Sequence, residues 1–317
     1  MRRRVILAAR AAPPVGSCLA AVFLAVACGM PEVPEPAPRV VRVQPDGAGV
    51  PVDVGEVAIE FSAPVSPAGL ADGRRLVLVP ASLEKAAVAA VESEEGAIRL
   101  AGAAPGSIAL ADGGRRAVLY LSAPLHALVP YAVVVGTRVE TADGRAVLDA
   151  AGRRKPTVAR FETGPAGGPP ARPVIAEVRI DAATPEAGGE YVVLQNRGDG
   201  PLDLYGHRLE KRSPSGAVTD CALGEGVVAP GALALVAGGA YDQRYLLPAG
   251  TVVASCGATS LLGGLANDRF PALQLVDPRG TVLSTAGARG GPVCAIALRL
   301  DLDGPDEAWS WGCVEED

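Results

Sequence analysis

Glycine and proline occur 39 and 28 times in these 317 residues, so densely that long helices have little room. In a helix interior glycine costs about 1 kcal/mol and proline about 3. Between them lie short apolar runs with a period of two, the pattern of half-buried strands joined by tight turns. The fold class this predicts is all-β. The length suits two separate cores of roughly 100–200 residues each. Lys and Arg number 29 against 35 Asp and Glu, a formal charge of -6, and no basic block follows the first residues. Nucleic acid therefore lacks its electrostatic attraction and is not expected as a partner.

Residues 1–27 read as an export signal. Arg2, Arg3 and Arg4 give a cationic start, and the apolar run from Leu19 to Ala27 is shorter than the ~20 residues a bilayer span needs. Pro13, Pro14, Gly16 and Arg10 interrupt the stretch before it, which argues against an uncleaved anchor. The run ends in Leu24-Ala25-Val26-Ala27-Cys28-Gly29. This resembles the lipobox of bacterial lipoproteins, with Ala25 where that family prefers leucine. The resemblance implies cleavage before Cys28, acylation of Cys28, a membrane held through the lipid anchor and a place in the cell envelope, at the outer membrane. Arg3-Arg4-Val5-Ile6-Leu7 faintly resembles a twin-arginine export signal, so the export route stays open. Residues 28–38 carry closely spaced prolines, which enforce extended polyproline geometry and suit a stiff tether.

A first module is expected over residues 39–164. Val57, Ile59 and Phe61 alternate with polar neighbours, Leu76-Val77-Leu78-Val79 forms a fully apolar run, and Val88 to Val91 and Ala97 to Leu100 are weaker strand candidates. Val118 to Leu121, Tyr131 to Val135 and Val158 to Thr163 complete about seven strands, the content of a sandwich. Val57-Ala58-Ile59-Glu60-Phe61-Ser62-Ala63-Pro64-Val65, then Pro130-Tyr131-Ala132-Val133-Val134-Val135 and the closing Phe161-Glu162-Thr163-Gly164 resemble the bacterial Ig-like domain of surface-layer proteins. That resemblance implies a spacer or adhesion module without an active site.

Residues 165–172 are a Pro/Gly-rich link without apolar periodicity, so the modules are expected as beads on a short string. In the second module, residues 173–317, strands are expected at Val174 to Ile180, Glu190 to Asn196, Leu202 to Leu204, Ala232 to Ala237, Thr251 to Ala254, Ala272 to Asp277 and Thr281 to Ser284. Glu190-Tyr191-Val192-Val193-Leu194-Gln195-Asn196 followed by Pro201-Leu202-Asp203-Leu204-Tyr205-Gly206-His207-Arg208-Leu209 resembles the lamin tail domain. Val228-Ala229-Pro230-Gly231 and Leu273-Gln274-Leu275-Val276-Asp277 continue the likeness. His207 stands where the family has an aromatic residue. A second, non-catalytic Ig-like sandwich is implied, and the architecture expected is two tandem Ig-like β-sandwiches after a signal peptide and tether.

The chemistry-bearing residues are few. Cys221, Cys256, Cys294 and Cys313 all lie in the second module, and an even set in an exported chain indicates disulfides, with proximity favouring Cys221 with Cys256 and Cys294 with Cys313. A four-thiolate zinc site would show paired CxxC knuckles, which the sequence lacks. Asp301, Asp303, Asp306 and Glu307 gather hard oxygen ligands and are the weak calcium candidates, with a solvated turn as the plainer reading. No other cofactor is expected. Of the two histidines, His126 has no Ser or Asp motif beside it in sequence and reads as a loop residue, and Glu190 reads as a strand-end polar residue. The chain is therefore expected to be no enzyme. It is expected to display two sandwiches for structural, adhesive or protein-binding roles toward a protein or polysaccharide surface. The alternatives are a carbohydrate- or calcium-dependent binding module, for which Trp309 and Trp311 are the main aromatic candidates, and a hydrolase accessory subunit.

Overall fold

Two four-stranded sheets face each other in the N-terminal half. One consists, in spatial order, of β1 (Val40–Gln44), β3 (Glu56–Phe61), β6 (Arg116–Leu121) and β5 (Gly106–Ala111). The other consists of β2 (Gly47–Val50), β8 (Thr157–Thr163), β7 (Pro130–Val135) and β4 (Leu76–Pro80). The computed structural model describes residues 35–317 apart from 69, 71–72, 98–99, 181–188, 240, 242–246, 266–271, 288–296, 302–309 and 315–317. Val57, Ile59 and Phe61 of β3 meet Leu76, Leu78 and Tyr131 of the facing sheet in one core.

The apolar runs on β4 and β7 are explained by a helix. Residues buried on both faces of a sheet lose the period-two alternation. Here Leu76 and Leu78 point into the sandwich, while Val77, Val79, Ala132 and Val134 pack outward under α1 (Glu84–Glu92) through its Ala87 and Val91. This corrects the strand expected at Val88 to Val91. The segment is alanine-rich, alanine is the best helix former, and Leu83, Ala87 and Val91 fall four residues apart on one face. Arg75, buried, donates to the carbonyls of Val91 at 2.6 Å and Ser93 at 2.5 Å and so serves the last turn of α1. Ala97, expected in a strand, lies in a turn, and Leu100 is outside any strand.

The C-terminal half forms the second sandwich. Its larger sheet runs β16 (Val252–Ser255), β15 (Leu233–Ala237), β10 (Tyr191–Asn196), β9 (Pro173–Arg179), β19 (Ala297–Asp301) and β20 (Ser310–Val314). The smaller runs β13 (Val218–Ala222), β12 (Arg208–Arg212), β17 (Ala272–Val276) and β18 (Val282–Ala286), and a short pair joins β11 (Leu202–Asp203) to β14 (Val227–Val228). Ile175, Val192 and Leu194 of one sheet pack with Leu209, Leu273 and Leu275 of the other. A disulfide joins Cys221 on β13 to Cys256, just past β16, and so staples one sheet to the other. Cys313 is also disulfide-bonded, and Cys294 lies outside the described residues. All described strands together make the chain all-β, with α1 as a cover on one face.

The link between the sandwiches differs from the expected free string. At one end the Gly164 amide donates to the Val50 carbonyl at 2.7 Å while the Gly164 carbonyl accepts from Leu128 at 3.1 Å. At the other, Arg197 donates to the Arg172 carbonyl at 2.8 Å and the Asn196 side chain accepts from the Arg172 amide at 3.1 Å. The chain at Gly198 and Gly200 runs so close under the link that a Cβ there would stand 2.3 Å from the Pro170 oxygen and 1.8 Å from that of Pro169. Only glycine permits that approach.

Candidate functional site

Where the sandwiches meet, the loop between β6 and β7 carries His126 onto β11 and the turn that follows it. The His126 Nδ1 lies 2.7 Å from the Asp203 Oδ2, and its ring stacks on Tyr205 with centroids 4.0 Å apart and planes inclined by 8°. Each partner is held in turn. The other Asp203 oxygen accepts the Tyr205 amide at 3.0 Å. The His126 amide donates to the Tyr131 hydroxyl at 3.0 Å, and its carbonyl accepts from the Thr163 hydroxyl at 2.7 Å. Tyr205 packs against the first core. Along the same seam Arg279 donates to Glu162 at 2.7 Å. Burial pushes the Tyr131 phenol up to about 12 and, with the nearby carboxylates, also raises that of Tyr205. The reading of His126 as lacking a partner aspartate is thus corrected, because the fold brings in Asp203 from the other sandwich. Sequence proximity gave no signal for it.

A second feature is a groove of 420 Å³ on the outer face of the six-stranded sheet. Val193 of β10 and Leu233 and Leu235 of β15 form its floor, Leu247, Pro248 and Thr251 one wall, and Glu177 and Arg299 the other. The Tyr191 hydroxyl donates to one oxygen of Glu177 at 2.7 Å, and the Arg299 Nε donates to the other at 2.8 Å. Burial and the Glu177 carboxylate hold the Tyr191 phenol far above its ordinary range. The strand pattern had shown β10, but the groove depends on the later segment folding back over it.

The residues expected to carry chemistry are dispersed. Cys28 lies outside the described residues, as do Asp303, Asp306, Glu307 and Trp309, and Asp301 ends β19. Among the described residues no group of three or more His, Cys, Asp or Glu is placed to hold a metal ion, and no helix is long and apolar enough to cross a membrane. Trp311 is partly buried against the second core. Glu190 is not merely a strand-end polar group: it is 2% exposed and accepts the Leu265 amide at 2.6 Å. His207 is 8% exposed, and burial lowers its pKa.

Fold and seam together define an all-β protein of two joined sandwiches. Neither a protein-family profile nor a curated protein matches the sequence. Among solved structures, the N-terminal part of the bacterial S-layer protein SbsC is similar at 13% identity over 79% of this chain and 42% of that one, with a TM-score of 0.26. The chain therefore spans less than half of that structure. The MG0-NIE-MG1 part of alpha-2-macroglobulin from Escherichia coli is 10% identical over 89% and 98% of the two chains, with a TM-score of 0.28. An L,D-transpeptidase from Mycobacterium smegmatis is 14% identical over 63% and 80%, at 0.23. Likenesses this distant bear no weight for function.

Proposed function

We propose that this chain is a non-catalytic lipoprotein of a bacterial cell envelope, anchored through Cys28, that holds two Ig-like sandwiches in a fixed mutual orientation and works through surface contacts. The junction carries this reading. Across it the His126 ring stacks on Tyr205 and the His126 Nδ1 pairs with Asp203, so that side chains of the two sandwiches engage each other directly. In this reading these groups serve to orient one sandwich on the other. The lamin-tail character of the second sandwich belongs to the same proposal. Its support is that the matching residues do structural work: Glu190 holds the Leu265 amide, Asn196 donates to the carbonyls of Gly200 and Val228, and Leu202 and Leu204 are buried. Two measurements test the proposal. Intact mass of envelope-extracted protein is expected to show an acylated chain beginning at Cys28, with acylation abolished by Cys28→Ala; an unlipidated mature protein starting elsewhere defeats the anchor. Small-angle scattering is expected to fit one rigid arrangement for the native protein and a broader distribution for the Asp203→Ala, Tyr205→Ala double variant. Equal flexibility in both defeats the fixed-junction reading.

A further inference from the structure

A strand at the edge of a sheet offers a row of unpaired backbone groups to any other strand, and proteins ordinarily blunt such edges with charge, proline, a bulge, short length or a covering loop. The first sandwich has β1 and β5 as the edges of one sheet and β2 and β4 as the edges of the other. All but β5 are blunted. β1 carries Arg42, shifts register between Val40 and Arg42, and is met at its start by Leu148, whose carbonyl accepts the Val40 amide at 3.0 Å. β2 has only 4 residues and a register shift of its own. β4 ends in Pro80, and its Leu78 carbonyl already accepts the Ala104 amide at 2.8 Å. β5 has none of these devices. It holds neither charge nor proline, and it pairs with β6 in unbroken register from Gly106 to Ala111.

The free side of β5 has a definite phase. The Ser122 amide donates to the Pro105 carbonyl at 3.0 Å, and bonding alternates along an antiparallel pair. Ser107, Ala109 and Ala111 therefore turn their backbone groups toward β6, while Gly106, Ile108 and Leu110 turn theirs outward. Side chains alternate in step. Ile108 and Leu110 lie against the first core, and Ser107 and Ala109 are exposed on the outer face beside Tyr120, itself 47% exposed. A second β5 laid antiparallel on this edge, with Ile108 opposite Ile108, brings all the outward groups face to face and sets Gly106 opposite Leu110 at each end. At two bonds per facing pair this makes about six new backbone hydrogen bonds. Size agrees with this register, because the glycine leaves room for the leucine opposite. On the outer side Ser107 faces Ala109, so small residues meet beside Tyr120. Charge agrees as well: residues 101–111 hold none, and Asp112 stands opposite Ala104 instead of its own counterpart. Sliding the pairing by two residues either way loses one facing pair and sets Leu110 against Ala104 or Ile108.

We propose that β5 is a self-association edge, through which two copies of this chain join their β1-β3-β6-β5 sheets into one continuous sheet about a two-fold axis at Ile108. The strand is roughly 20 Å long, a contact at the small end of specific interfaces, so the dimer is reversible and forms with rising concentration. Because β1, the far edge of the same sheet, is blunted, the assembly stops at two copies. The inference goes beyond the envelope reading and stands whether or not Cys28 is acylated.

The test follows the full chain, produced unacylated, by sedimentation velocity over a roughly thousandfold range of concentration, wide enough to span a weak association. Amide hydrogen exchange is read on the same samples. Monomer is expected at the dilute end and dimer at the concentrated end. Exchange at Gly106, Ile108 and Leu110 is expected to slow about tenfold as the dimer forms, while Ser107 and Ala109, already bonded to β6, stay protected throughout. The Ser107→Lys, Ala109→Lys double variant sets lysine opposite lysine and is expected to stay monomeric. Mixed with Ser107→Glu, Ala109→Glu, it is expected to form the mixed dimer. An unmutated chain that stays monomeric overturns the proposal and leaves the edge to a strand of another protein. A dimer without the alternating protection, or one that the lysine pair leaves intact, places the contact elsewhere and overturns it too. Folded variants that do not form the mixed dimer overturn the pairing centred on Ile108. The exchange pattern is read on the unmutated chain and needs no variant to fold, and lipid analysis of Cys28 is unaffected by any of these outcomes.

Discussion

Buried polar side chains set the local obligations of the second sandwich. Glu190 holds the Leu265 amide at 2.6 Å, and removing the carboxylate leaves that amide without its acceptor in the interior, a loss of about 2 kcal/mol. Glu190→Ala is accordingly expected to lower the urea midpoint at unchanged m-value, and an unchanged midpoint would refute that role. His207 acts through pH. Burial depresses its folded pKa below the ordinary 6.5, so the unfolded chain takes up the proton first as pH falls. Stability is whole above about pH 6.5 and is lost as pH drops from there toward the folded value. His207→Phe keeps the ring volume and is expected to flatten the decline in melting temperature between pH 7 and pH 5; an equally steep decline would rule this out. The burial of His207 was expected only from the resemblance of its segment to a known domain, not from any periodicity around it. The hidden partner of Glu190 was not legible in the sequence, since it lies 75 residues away.

Strands announce themselves through alternation, and most of the central ones were readable for that reason. The edge strands were harder. β5, with Gly106 and Ser107 at its start, and β13, with its alternating polar residues, carry little apolar signal because only one side of each is paired and little of either is buried. Helix α1 was missed because a valine–alanine run suits either period. The fully apolar Leu76 to Val79 held the clue, since a strand apolar on both faces needs a cover on both. Two predictions belong at this scale. The Cys221–Cys256 bond closes a loop of 35 residues, so Cys221→Ala with Cys256→Ala is expected to cost about 4 kcal/mol by chain entropy, read as a lower denaturant midpoint. Gly200→Ala sets a Cβ against the Pro169 carbonyl. It is expected to lift the link and to open it to limited proteolysis between residues 165 and 170, while the native chain resists.

At the scale of the whole molecule, the sandwiches keep separate cores yet share a seam in which Tyr205 of one packs on the core of the other. A fragment of residues 39–164 and one of 173–317 are each expected to melt cooperatively, because neither core borrows its main apolar residues from the other. If one remains unfolded until mixed with its partner, the cores are not independent. The Pro/Gly-rich composition of residues 165–172 set the expected boundary between the modules. It could not show that His126, Asp203 and Tyr205 converge, because contacts across a seam leave no periodic trace in either partner.

The way β2 lies beside β8 has a mechanical consequence. The two run parallel, Gly47 opposite Phe161 and Ala48 opposite Glu162, and β8 leads directly into Gly164 and the link. Tension that enters from the N-terminal side and leaves through the link pulls these neighbours in opposite directions along their common axis. Their backbone hydrogen bonds are then loaded side by side and must rupture together, instead of parting one after another as in a hairpin pulled open from its end. A domain strung in this manner between a fixed surface and a pulling load resists extension at its first strands, before its core is exposed.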